Sequence, residues 1–155
     1  MRANSPIIEG DLGDVALQLE CSVDANVSAA FAWSFRVDVT TWNDPPAKFE
    51  LDGPFATGSR GTTLLPGQPP INWLIREVRA GEFFIIEMEL ERATLSFEWR
   101  FANLSENRTT LTQRIVLSGD NAPAYVDQVR AGFESTLSDG MTRIAAEIER
   151  AGSIQ

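Results

Sequence analysis

Apolar and polar residues alternate along the first patterned stretch of the chain. Val15, Leu17, Leu19, Cys21 and Val23 are apolar, and Gln18, Glu20 and Ser22 between them are polar. A period of two puts one set on a buried face and the other towards water, which predicts a half-buried strand over 15–23. A thiol on the apolar face reads as a small hydrophobe. After the polar turn Asp24-Ala25-Asn26, the Ala-containing run Val27-Ser28-Ala29-Ala30-Phe31-Ala32-Trp33-Ser34-Phe35 predicts a short helix. Asp38-Val39-Thr40-Thr41-Trp42-Asn43 predicts a second helical turn, closed by Pro45-Pro46. Four strand-like runs follow, over 48–51, 59–65, 71–78 and 82–90, separated by Gly53-Pro54, Pro66-Gly67-Gln68-Pro69-Pro70 and Ala80-Gly81.

The next two runs carry the clearest alternation. Leu95, Phe97, Trp99 and Phe101 are large and apolar, with Ser96, Glu98 and Arg100 between them. Leu111, Ile115 and Leu117 repeat the pattern beyond the turn Ser105-Glu106-Asn107-Arg108, which predicts an antiparallel hairpin. The period then changes. Beyond Pro123, which suits a first helical turn, Val126, Val129, Phe133, Leu137, Met141, Ile144 and Ile148 recur at spacings of three and four. They predict one long apolar stripe on a C-terminal helix. Gly132 and Gly140 lie on that helix, and either close packing against the sheet, the simpler reason, or room left for a ligand accounts for the pair. Residues 1–14, with Pro6, Gly10 and Gly13, read as a loosely held lead-in to a single domain over 15–151.

In this order of elements the chain resembles the START-like helix-grip superfamily, and most closely its polyketide cyclase/dehydrase and lipid-transport group. The resemblance runs from about Ala16 to Ile148. It rests on the opening strand with Asp24 to Phe31 after it, Asp38 followed by Trp42, Gly53-Pro54, Gly58-Ser59-Arg60-Gly61, and Thr109 to Gln113 with the closing helix. It implies an α+β fold: a seven-stranded antiparallel sheet curled around a long C-terminal helix, two short helices after strand 1, and a cavity between sheet and helix. Members include lipid carriers, aromatases, cyclases, hormone receptors and co-chaperones, so the likeness implies no single activity.

Charge and residue content narrow the chemistry. The formal net charge is −9, from 22 acidic and 13 basic side chains, and such a surface repels nucleic acid and anionic lipid headgroups. The chain contains no His, which removes Ser-His-Asp and Cys-His catalysis and speaks against a zinc site. Glu87, Glu89 and Glu91 alternate with Met88 and Leu90 and read as a solvated strand face rather than a metal site. Gly53, Gly58 and Gly61 lack the Lys-Ser or Lys-Thr pair of a phosphate loop, and no cofactor is implied. With one cysteine, no apolar run of spanning length and no signal-peptide core, the chain reads as cytoplasmic and without membrane insertion. The pattern sets no oligomeric state.

The candidate ligand-binding residues follow from the faces. Phe97, Trp99, Phe84 and Met88 belong to the apolar sheet face, and Phe133 and Leu137 to the helix stripe. The resemblance adds Trp42 and Phe49, which fall in the region that caps the cavity in the family. Gln113 shares the face of Leu111 and Ile115, so its amide points inward towards backbone, water or a ligand. In 71–78 two alternatives stand open: Trp73 and Ile75 face in together with Glu77, or Leu74 and Val78 do so together with Arg76. An inward Arg76 would anchor a carboxylate or phenolate. The leading expectation is a cavity for a small hydrophobic molecule, lipid or aromatic and polyketide-like. One alternative is an aromatase/cyclase-type enzyme using Arg76, Gln113 and Glu77. The other is a co-chaperone-like module, which the polar outer face of Gln18, Glu20, Glu98 and Arg100 speaks against.

Overall fold

The structure is a computed structural model that describes residues 15–153; the 1–14 lead-in lies outside the described residues. Its strands are β1 (Val15–Ala25), β2 (Lys48–Asp52), β3 (Arg60–Leu64), β4 (Ile71–Arg79), β5 (Phe83–Leu90), β6 (Ala93–Ser105) and β7 (Arg108–Ser118). Helix α1 (Ala29–Arg36) and a 3₁₀ turn (Val39–Thr41) follow β1. A second 3₁₀ turn (Ala122–Tyr125) leads into α2 (Val126–Phe133) and α3 (Leu137–Ser153).

All seven strands form one antiparallel sheet in the order β1-β7-β6-β5-β4-β3-β2. The chain meanders from β2 to β7, and β1 adds at the far edge beside β7. The seven-stranded sheet, the short helices after β1 and the long C-terminal helical segment match the expected architecture. The alternating residues of β1, β6 and β7 place Leu17, Leu95, Trp99, Phe101, Leu111, Ile115 and Leu117 in the core.

Local chemistry fixes the short elements. The Ser28 hydroxyl accepts a hydrogen bond from the Phe31 N–H at 3.1 Å and so caps α1, an interaction of about 1 kcal/mol. The Asp38 carboxylate caps the 3₁₀ turn through the Thr40 N–H at 3.0 Å. The C-terminal stripe is interrupted at 134–136, so α2 and α3 are separate helices. There the Thr136 hydroxyl bonds back to the Gly132 carbonyl at 3.1 Å, and the Thr136 N–H bonds to the Phe133 carbonyl at 3.3 Å, a competition with helical bonding expected of Ser and Thr.

The helix stands towards the β1 side of the sheet. Met141, Ala145 and Ile148 of α3 pack with Cys21, Val23 and Ala25 of β1 and with Leu111 of β7. Gly132 and Gly140 are not the points of close approach: a β-carbon on either would meet open space. Gly152 is such a point, where an added β-carbon would lie 2.8 Å from Val27 Cγ1.

The outer face differs from the polar surface expected of it. Phe83, Ile85 and Val116 form a buried cluster there, and Glu98 beside them is only 1% exposed. The Glu98 carboxylate lies 2.8 Å from Arg100 Nε and 3.7 Å from an Arg114 nitrogen, and the Arg79 and Arg100 guanidinium groups lie over the Phe83 ring.

Candidate functional site

Because α3 covers the β1 side, the inner face of β2 to β6 is left without a helix against its middle. A cavity of about 290 Å³ opens there. That volume lies at the small end of ligand pockets, which span about 300–1,000 Å³. Its walls are Phe49 of β2, Thr63 of β3, Ile71 and Trp73 of β4, Phe84, Ile86 and Met88 of β5, and Phe97 and Trp99 of β6. Phe133 of α2 and Ile144 of α3 close it from the helical side, and Trp42 from the loop after the first 3₁₀ turn.

The aromatic side chains hold one another in place. Trp42 stacks on Trp73 with ring centroids 5.8 Å apart and meets the edge of Phe49 at 5.3 Å. Each indole N–H is tied as well, Trp42 to the Arg36 carbonyl at 2.7 Å and Trp73 to the Thr63 hydroxyl at 3.1 Å. With donors satisfied and rings packed, the wall is preformed.

Arg36, the last residue of α1, is the polar group set into this wall. Its guanidinium carbon lies 4.3 Å from the Trp99 ring centroid and 4.8 Å from that of Trp42, so the cation sits between two indole faces. Its Nε is buried without a hydrogen-bond partner, and no carboxylate among the described residues forms an ion pair with the group. Burial pulls its pKa below the ordinary arginine range to about 10, with Glu147 acting upward and Arg143 downward, so the group is cationic at neutral pH.

A polar rim faces the solvent. From α3, an Arg143 Nη donates to the Asn43 carbonyl at 2.6 Å, and the guanidinium lies 3.7 Å from Asp44 and 3.8 Å from Glu147. The contacts with Asn43 and Asp44 tie the helix to the loop across the cavity.

Eight of the expected ligand-binding residues meet at this cavity: Trp42, Phe49, Trp73, Phe84, Met88, Phe97, Trp99 and Phe133. Three stand elsewhere. Arg76 is the extra residue of a bulge between Ile75 and Glu77, so Trp73, Ile75 and Val78 all pack inward and Arg76 turns out to pair with Glu87 at 2.8 Å. Gln113 lies on β7 between β1 and β6, opposite Cys21 and Trp99, and is not part of the cavity wall. Leu137 starts α3 and packs into the core on both sides of the helix break. Arg36 was missed because a cation in the last turn of a helix ordinarily answers the helix dipole, and only the fold brings the two Trp residues to it.

No family model matches the sequence, and no curated protein is significantly similar to it. Solved structures do match in fold. Norcoclaurine synthase from Thalictrum flavum, in complex with dopamine and hydroxybenzaldehyde, superposes with a TM-score of 0.67 at 12% identity, over 97% of this chain and 94% of that one. Zhui aromatase/cyclase from Streptomyces sp. R1128 gives 0.63 at 17% identity, over 86% and 94%. Ara h 8.0201 gives 0.59 at 11% identity, over 90% and 99%. At these identities the likeness is one of fold alone, the helix-grip fold.

Proposed function

We propose that the chain binds a small hydrophobic molecule, flat and aromatic in character, in the cavity between β2–β6 and the C-terminal helices. The observation that carries this reading is the preformed aromatic wall of Trp42, Trp73, Phe84, Phe97 and Trp99 around about 290 Å³ of space. Such a wall gains free energy from the apolar area of a ligand, at about 25 cal/mol per Å² removed from water, without first rearranging. The fold neighbours support it, since one of them holds two small aromatic molecules.

Holding and transforming a molecule would use the same space, and one neighbour is an aromatase/cyclase. What favours holding is the distribution of polar groups. Among the described lining residues the carboxylates are Asp44 and Glu147 of the rim, while the wall behind them offers only Arg36 and the Thr63 hydroxyl, already bonded to Trp73. A general acid or base must reach the reacting atom, and this wall supplies no carboxylate for that.

Native mass spectrometry of freshly purified protein, followed by extraction of any released compound, tests the reading. The expected result is a stoichiometric apolar adduct that is lost in Phe97→Asp, with circular dichroism confirming that the variant folds. A mass equal to that of the chain alone, unchanged by a panel of aromatic compounds, sterols and fatty acids, would overturn it.

A further inference from the structure

We infer that the molecule taken up by this cavity carries an anionic group, a carboxylate or phenolate on a flat aromatic body, and that Arg36 is the residue that selects it. This rests on the cavity-binding reading above and narrows its ligand class.

Three features of Arg36 point the same way. First, the Nε of the half-buried guanidinium is itself buried with no acceptor, and the group lacks an anion partner among the described residues. A buried donor without a partner is uncommon in native structures and calls for an explanation. Second, Trp99 and Trp42 flank the cation at 4.3 and 4.8 Å. Cation–π attraction to two indoles holds a guanidinium in place without using up its N–H donors. Those donors have the fork geometry that matches a carboxylate. Third, Glu147 lies near enough to act on the charge, yet it makes its own contact with Arg143 at 3.8 Å and does not neutralise Arg36.

The rest of the molecule makes this assignment specific. A net charge of −9 repels anions in general, so any preference for an anion over its neutral analogue must come from a local group. Arg143, the other cation of the lining, is spent on the Asn43 carbonyl and on Asp44 at the rim. The ring of the ligand would meet the Trp73 and Phe97 side of the wall, with its charged end towards Arg36.

The test is isothermal titration calorimetry of the full chain with 2-naphthoate and with 2-naphthamide, a neutral probe of nearly the same shape. The native protein is expected to bind the carboxylate at least tenfold more tightly than the amide. In Arg36→Met the two affinities should converge through loss of carboxylate binding alone, and Arg36→Lys should restore part of the preference. Should a variant fail to fold, the native protein still decides: the Arg36 Nε–H resonance should shift with naphthoate and stay in place with naphthamide. Equal affinities, or a preference for the amide, would overturn the charge assignment while leaving the cavity reading intact. No binding of either probe would overturn the cavity reading, and the charge assignment with it.

Discussion

The six-membered ring of Trp73 occupies the space that a β-carbon on Gly61, its register partner in β3, would need. Glycine is therefore required here by the neighbouring indole and not by a turn. Gly61→Ala should displace Trp73 and with it the stacked Trp42, lowering stability by about 1–3 kcal/mol as overpacking does. Urea denaturation measures the first effect, and quenching of Trp emission by acrylamide the second. Full native stability in the variant would show that the wall is softer than its packing implies.

Arg143 bridges α3 and the 43–47 loop through the Asn43 carbonyl and Asp44, yet its side chain is 44% exposed. Exposed pairs of this kind contribute about 0–1 kcal/mol. Arg143→Ala should thus leave the melting temperature nearly unchanged while speeding both uptake and release of a bound aromatic molecule. Stopped-flow fluorescence separates the two rates. Unaltered rates would mean that ligands pass elsewhere.

The charge on Arg36 makes a prediction about pH. Its folded pKa of about 10 lies below the ordinary arginine value, because burial disfavours the cation, against Glu147 and with Arg143. The cation persists below about 10, so affinity for a permanently charged probe such as a naphthalene sulfonate should be level between about pH 6 and 9 as far as this group contributes. Above 10 the affinity should fall, since the anion binds the protonated form. For stability the sign reverses: above about 10 and up to the ordinary arginine value the unfolded chain holds a proton that the folded chain has lost, so this group's contribution rises with pH. Calorimetric titrations across that range check the first statement, and the Arg36→Met difference in unfolding free energy checks the second.

On the outer face, Glu98 is 1% exposed between Arg100 at 2.8 Å and Arg114 at 3.7 Å. Removing one member of a buried ion pair leaves charge without its counterpart, and Glu98→Ala should cost about 3 kcal/mol or more in urea denaturation. Ligand affinity should be untouched, because the site lies across the sheet. A loss below about 1 kcal/mol would place Glu98 among ordinary surface pairs.

Strand and helix periods carried most of this fold, because β1, β6 and β7 alternate over many residues and each has one clear apolar side. The exceptions are instructive. Alternation assumes an unbroken register, so the bulge at Ile75/Glu77 made Arg76 look like a possible cavity residue when it is the extra residue of the bulge and bonds Glu87 instead. The run Phe83-Phe84-Ile85-Ile86 held a signal that was available: four consecutive apolar residues mean burial on both faces, and Phe83 and Ile85 are indeed covered. The Phe84, Met88, Phe97 and Trp99 part of the cavity wall was legible from strand faces, whereas Trp42 and Phe49 came through the resemblance and Trp73 stood open between two faces. Arg36 was not legible, because its neighbours Trp42 and Trp99 come from a following loop and from β6, a distant strand, and no local pattern joins them.

The pairing of β1 with β7 also sets a schedule for synthesis. Val15 lies opposite Ser118, about a hundred residues later in the chain. At ~5–20 residues per second, a ribosome needs on the order of 5–20 seconds to deliver that partner, and α3 follows later still. Throughout this interval the first strand emerges with its apolar side uncovered and both hydrogen-bonding edges open. The nascent chain therefore passes through a stage in which β2 to β6 have emerged while its opening strand still waits for β7. That stage, rather than the finished molecule, is where this sequence is most exposed to wrong pairing.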